Sequence, residues 1–325
     1  MRCSLHLLMA KNNTSEKNIK EVRIVFMGTP EFAVASLDKL LLAGCNVVGV
    51  VTAPDKPAGR GMQLTESAVK KYAVSKGLHI LQPEKLKAPQ FLNDLKNLKA
   101  DLQFVVAFRM LPEIVWNMPA FGTINLHGSL LPKYRGAAPI NWAIISGEKE
   151  TGVTTFKLTH EIDTGDILLQ EKIAISDDET AGALHDRMKN IGAGLLVRTV
   201  TDLIDGTLKE LPQEATEAIR HAPRLTNETA NIDWEKNAGE IFNLIRGLSP
   251  SPTAFTFLNG KKLKIYSSQI EMEVHNFSAG KVFTDGKTYL KFACNDGFIR
   301  LKELQLEGKK RMPVEDFLRG YKKPV

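Results

Sequence analysis

Two hydrophobic rhythms divide the chain. From residue 22 to about residue 205, unbroken apolar runs alternate with stretches of helical spacing; beyond residue 230 the runs are shorter and Gly, Asn and Asp punctuate them. Residues 22–28 (VRIVFMG) are apolar throughout and closed by glycine, as in a strand buried on both faces. Helical spacing follows over residues 30–43, with Thr29 placed to cap and Pro30 at the first helical position, where a missing N–H is harmless. Gly44 ends that helix and residues 46–52 supply the next buried strand, so a right-handed βαβ unit is expected. The same reading predicts helix 65–76, strand 79–81, helix 88–98, strands 102–108 and 122–127, helix 137–146, strand 152–158 and a long helix over 180–205. This alternation predicts the α/β class: a doubly wound, mostly parallel sheet with ligands at the carboxyl ends of its strands.

Residues 207–230 show no strong apolar period, contain two prolines, and read as a linker. Helix 237–246 and β runs at 254–258, 262–270, 281–284, 288–293 and 298–306 then predict a small β-barrel of OB-like type. The expected division is a disordered extension at 1–20, a catalytic domain at 21–207, a linker at 208–230 and a β-barrel domain at 231–325.

Composition narrows the function. The 325 residues carry 43 Lys/Arg and 37 Asp/Glu, a net charge of +6. All of the excess lies in residues 255–325, with 14 basic and 8 acidic residues; the rest of the chain carries 29 of each. A neutral body with a basic end suits a polyanion partner or a solvated lysine-rich surface, and charge alone does not choose between them. Cys3, Cys45 and Cys294 are odd in number and dispersed, which argues against a disulfide framework or a zinc site and for a reduced, cytoplasmic setting. No apolar stretch approaches a membrane span, and the opening MRCSLHLLMA is too short for a signal peptide. The GTPEF turn after the first strand is not GxGxxG, and no GxxxxGK[ST] loop occurs, so nicotinamide and P-loop chemistry are disfavoured. No motif calls for a metal.

Candidate chemistry gathers in two blocks. In GTINLHGSLLPKYRG (122–136), Asn125 and His127 stand two apart at the end of a strand, so a period of two puts them on one face. An amide beside an imidazole can polarise a carbonyl and move a proton; a strand-end histidine bonded to backbone has the same spacing. In GVTTFKLTHEIDTGD (152–166), Asp163 sits in a turn between two β runs. It could face His127 and favour the imidazolium, or cap its own turn.

GTPEFA, APDKPAGRG, INLHGSLLPKYRGAAPI and EIDTGD together resemble the folate-dependent formyltransferases, from about residue 22 to the C-terminus. The GTPEFA turn, the DKPAGRG loop, RGAAPI, the β-rich end and IDW at 232–234 are similar to the tRNA branch of that family. The resemblance implies a Rossmann-like formyltransferase fold and formyl transfer from 10-formyltetrahydrofolate to the amino group of methionine on initiator tRNA. It places the catalytic roles on Asn125, His127 and Asp163, with Asn125 stabilising an oxyanion and the other two handling protons. It places the folate against Phe108, Arg109, Met110 and Leu111 and against Ser129, Leu130, Leu131 and Pro132. Phe108-Arg109 stands where many members have Tyr-Gly. Lys56 and Arg60, in the 53–61 loop, match tRNA-contacting positions, where they would add salt-sensitive phosphate contacts. A monomer with no metal and no membrane partner is expected.

Overall fold

The apolar runs become the inner strands of one sheet. The computed structural model describes residues 19–58, 63–214 and 219–321. Its first part comprises β1 (Arg23–Gly28), α1 (Glu31–Leu42), β2 (Asn46–Val51), β3 (Lys56–Ala58), β4 (Gln63–Thr65), α2 (Ala68–Ser75), β5 (Ile80–Leu81), α3 (Pro89–Asn97) and β6 (Leu102–Val106). It continues with α4 (Glu113–Trp116), β7 (Thr123–His127), β8 (Arg135–Gly136), α5 (Pro139–Ile145), β9 (Glu150–Lys157), β10 (Ile167–Ala174) and α6 (Ala181–Ile204). Seven strands form one sheet in the order β10-β9-β7-β6-β1-β2-β5. The five from β7 to β5 are parallel, while β9 and β10 run antiparallel at one edge.

Alternation along the strands builds two cores. Ile24, Phe26, Phe104, Val106, Ile124 and Leu126 point to the face covered by α1 and α6. Val25, Met27, Val51 and Val105 point to the other face, with Phe91 and Leu95 of α3 and Val115 of α4. Burial on both sides explains why β1 and β2 read as apolar runs.

Several boundaries differ from the sequence expectation. Pro30 is extended (φ −81°, ψ 176°) and is itself the cap, so α1 begins at Glu31 and Thr29 does not cap it. The helix expected from residue 65 begins later: Thr65 pairs with β3, and α2 starts after Ser67, whose Oγ accepts the Lys70 N–H at 3.0 Å. The strand expected to reach residue 108 stops at Val106, because Ala107 turns the chain with φ +47°. The expected linker is tied down at two points and ends in a short helix. Leu211 exchanges two backbone hydrogen bonds with Ile167, β11 (His221–Ala222) pairs with β8, and α7 (Asn227–Ala230) follows. Two-residue pairings such as β8–β11 are too short to leave a period in the sequence. The extension expected to be disordered falls, up to residue 18, outside the described residues.

The C-terminal part comprises α8 (Ala238–Gly247), β12 (Ala254–Leu258), β13 (Lys261–Met272), β14 (Val282–Thr284), β15 (Leu290–Cys294), β16 (Gly297–Leu306), β17 (Met312–Pro313) and α9 (Val314–Arg319). The expected small barrel takes the form of a curled antiparallel sheet, β12-β13-β16-β15-β14, with β17 on β16. Its two end strands do not pair. Register shifts near Ser267 bend the long β13–β16 ribbon. Ile241, Ile245, Phe255, Ile265, Phe292 and Ile299 fill its concave side.

The two parts meet through α5 and α8. Asn141 donates to the Gly247 carbonyl at 2.8 Å, and the Gly182 N–H donates to the Ser249 carbonyl at 3.0 Å. The buried Arg246 donates to the carbonyls of Glu179 (3.2 Å) and Ser176 (3.4 Å); burial pulls its guanidinium below the ordinary arginine value.

Two of the three thiols are sealed into these cores. Burial pushes Cys45 up to about 11 and also raises Cys294. Since the thiolate is the nucleophile, native protein at pH 8 should react rapidly with no more than one equivalent of a thiol reagent, against three after denaturation. A fast second equivalent, read by absorbance, would contradict this packing.

Candidate active site

The pleat of β7 sends Ile124 and Leu126 into the core and Asn125 and His127 to the opposite face, at the carboxyl end of the strand. Asn125 lies between Val105 of β6 and Phe156 of β9. Among the described residues its side-chain amide has no hydrogen-bond partner, and it lines a cleft of about 1480 Å³. His127 is buried, with its ring edge-on to Phe156 at 6.3 Å.

The geometry of His127 fixes its tautomer. Nε2 lies 2.9 Å from the Tyr134 carbonyl oxygen. A carbonyl can only accept, so Nε2 carries a hydrogen and donates it. The position left for a second proton is Nδ1, which faces Asp163 Oδ2 at 3.9 Å. His127 is therefore bonded to backbone and turned toward a carboxylate at once.

Asp163 is brought to this point by an unusual turn. Its φ is +56°, a region that Asp tolerates better than most residues. Its Oδ2 accepts the Gly136 N–H at 2.9 Å, so it does not cap its own turn. Gly136 has φ +125°, and a Cβ there would lie 2.6 Å from the Ala222 carbonyl oxygen; only glycine allows β8 to present this N–H. Gly165 is equally constrained, since a Cβ would fall 1.7 Å from the Lys157 oxygen.

One wall of the cleft comes from the loop after β6, where Ala107, Phe108, Arg109, Met110 and Leu111 all contribute. Arg109 is tied sideways to the carbonyls of Glu84 (2.9 Å) and Pro83. Another wall comes from Pro30 and Phe32 of the β1–α1 turn, His185 of α6, and Ser249, Pro250 and Ser251 of the C-terminal part. Ser129, Leu130, Leu131 and Pro132, expected at the folate, do not line the cleft. They lie behind it. Thr154 Oγ1 donates to the Ser129 carbonyl at 2.6 Å and accepts the Leu131 N–H, while Gln170 donates to the Leu131 carbonyl at 2.9 Å. This buried stapling shapes the loop that delivers the Tyr134 carbonyl and the Gly136 N–H.

Lys56 is exposed on the β3–β4 hairpin and is not part of the cleft wall. The hairpin's base is fixed by an Asp55–Lys70 ion pair and by Gln82, which together hold the Asp55 carboxyl below the usual range. Arg60 lies outside the described residues. Among those described, no group of three His, Cys, Asp or Glu could hold a metal ion, and no helix is long and apolar enough to cross a membrane.

Sequence reasoning missed Tyr134, Gly136 and the Ser249–Ser251 wall. Gly136 had a signal, since it follows Arg135 in a Gly/Pro-rich loop; Tyr134 meets His127 through its backbone carbonyl, which no side-chain pattern reports.

A family model described as formyl transferase matches residues 22–200, and one described as formyl transferase, C-terminal domain, matches residues 224–322. A protein named methionyl-tRNA formyltransferase from Parabacteroides distasonis is 54% identical over 313 residues, covering 93% of this chain and 97% of its own. The chain belongs to the methionyl-tRNA formyltransferase family. The namesake from Acetivibrio thermocellus is 46% identical, again covering 93% of this chain and 97% of its own. An N-formyltransferase from Helicobacter canadensis, solved with folinic acid and dTDP-3-aminofucose, shares the fold with a TM-score of 0.63 at 21% identity, covering 90% of this chain and 100% of its own.

In this formyltransferase the Asp163 turn is a sensitive point. Gly165→Ala should destabilise the protein by about 1–3 kcal/mol, the usual scale for forcing atoms into filled space, and lower the formylation rate as Asp163 shifts. A melting temperature and a rate both unchanged from wild type would contradict the turn geometry.

Proposed function

We propose that Asn125, His127 and Asp163 carry the transfer of a formyl group from 10-formyltetrahydrofolate to the amino group of methionyl-tRNA. Formyl transfer to methionyl-tRNA, for translation initiation, is the activity of this family. The observation that carries the site assignment is the convergence of an unpartnered amide, an imidazole and a carboxylate at the end of β7, inside one cleft.

The cleft suits two substrates. Its volume of about 1480 Å³ exceeds the usual range of roughly 300–1,000 Å³ for a single small ligand. Phe108, Met110 and Leu111 offer apolar surface for a flat heterocycle, and the backbone beyond Val106, freed from the sheet by Ala107, offers polar groups beside it. When bound, 10-formyltetrahydrofolate supplies the activated formyl carbon and a nitrogen leaving group.

Asn125 donates its amide N–H where negative charge grows on the formyl oxygen as the amine attacks. A donor already in place there needs no reorganisation during the reaction. His127 receives the proton of the attacking amine at Nδ1, since Nε2–H is committed to Tyr134, and delivers it to the folate nitrogen as the bond from that nitrogen to the formyl carbon breaks. Asp163, 3.9 Å from Nδ1, balances the resulting cation, and its bond to Gly136 N–H keeps its carboxylate aimed.

We further propose that residues 21–207 perform the chemistry and residues 231–325 hold the tRNA. The basic excess of that end supports this, with Lys281, Lys287, Lys302, Lys309 and Lys310 presented toward solvent or partly so. Lys56 and Arg60 would add phosphate contacts from the 53–61 loop. The reading further assigns a monomer acting in the cytoplasm, where initiation takes place. The deciding experiment supplies 10-formyltetrahydrofolate with charged initiator tRNA, glycinamide ribotide or an amino-sugar nucleotide. Formylmethionyl-tRNA as the main product is expected; preference for either small amine would overturn the reading.

A further inference from the structure

Gln213 lies in the stretch that sequence alone reads as a linker, yet its side chain is wedged under the Asp163 turn. Its Nε2 donates to the Asp163 carbonyl at 2.9 Å and to the Gly165 carbonyl at 2.8 Å. Its Oε1 accepts from Arg135 Nε at 3.1 Å and from Arg135 Nη2 at 2.7 Å. A primary amide has two hydrogens and two lone pairs to offer, and here all four are used. The orientation of the amide is fixed by its partners, because carbonyls only accept and a guanidinium only donates.

The consequence is a closed frame around Asp163. Gln213 grips the turn's backbone from one side. Arg135, held by the same amide, precedes Gly136, whose N–H aims the Asp163 carboxylate. The backbone of Asp163 sits at φ +56°, a conformation that persists in a non-glycine residue only when its surroundings hold it there. Leu211 and β11 pin the chain on either side of Gln213, through Ile167 and β8.

We infer that Gln213 is a positioning residue for formyl transfer: it acts through Asp163, setting the carboxylate against His127, and it touches neither substrate. The inference rests on the catalytic reading of Asp163. It also gives the segment between the two sheets a part in the chemistry as well as in the connection.

Two variants separate positioning from simple strapping. Gln213→Met keeps the length and removes all four bonds. Gln213→Glu keeps a partner for Arg135 and removes only the two donors to the Asp163 turn. A displacement of about 1 Å near reacting groups can cost on the order of 100-fold in rate. Both variants should therefore lower kcat by about 10- to 100-fold, with KM for folate and for tRNA within about threefold of wild type. In an Asp163→Asn background, Gln213→Met should add less than about threefold, because the two residues act as one unit. Wild-type kcat in folded Gln213→Glu, or effects that multiply in the double variant, would overturn the inference. Near-full activity of Asp163→Asn alone would overturn the catalytic reading itself, a separate result.

Discussion

Replacing Asn125 with alanine lowers kcat by about 10²- to 10³-fold and leaves the melting temperature close to wild type. The size follows from what such a donor contributes when it meets developing negative charge in a site shielded from water, about 3–4 kcal/mol. The stability follows from the absence of any partner for the Asn125 amide among the described residues; removing it breaks no bond of the fold. KM for either substrate should change little, because the interaction strengthens only as charge appears. Steady-state kinetics with 10-formyltetrahydrofolate and charged initiator tRNA measure this, alongside a thermal melt. An alanine variant with more than about a tenth of wild-type kcat would sink the oxyanion assignment.

The second large effect is expected at Asp163. Asp163→Asn keeps the shape, keeps an oxygen to accept the Gly136 N–H and tolerates the positive φ as well as Asp does. The charge is lost, and the other oxygen becomes an NH2 group. The side chain is nearly buried, so solvent does little to screen that charge from the His127 ring 3.9 Å away. If proton transfer at His127 Nδ1 depends on the carboxylate, kcat should fall by about 10²- to 10⁴-fold, the usual range for general acid–base help. The double variant His127→Ala/Asp163→Asn should be scarcely worse than the more damaged single variant, because residues acting as a unit are not additive. Independent, multiplying losses would mean that Asp163 works on the substrate directly and not through His127.

The fold was readable where secondary structure is dictated locally. Unbroken apolar runs announced β1 and β2, because a strand buried on both faces has no polar period. The pairing of Asn125 with His127 on one face was equally secure, since it follows from the pleat alone. Errors came where tertiary contacts outweigh propensity. Thr65, expected to open a helix, pairs with β3, and the strand from Leu102 ends early because Ala107 adopts a positive φ beside the cleft. Positions 129–132 carry a strong motif, and the structure spends it on shaping the loop behind the cleft rather than on lining it.

Family membership, the order of the strands' chemistry and the uneven charge were determined by the sequence by itself. Each depends on residues close together in the chain or on composition. The meeting of Asp163 with His127, the tautomer set by the Tyr134 carbonyl, the grip of Gln213 and the Ser249–Ser251 wall were decided only by the tertiary structure. The reason is physical. These groups lie 36 to 122 residues or a backbone atom away from what a side-chain pattern can record, as the separations of Asp163 and Ser249 from His127 illustrate. Only the crossing of β7, the β9–β10 turn and the pinned segment around Gln213 brings their donors and acceptors within a few ångströms of one another.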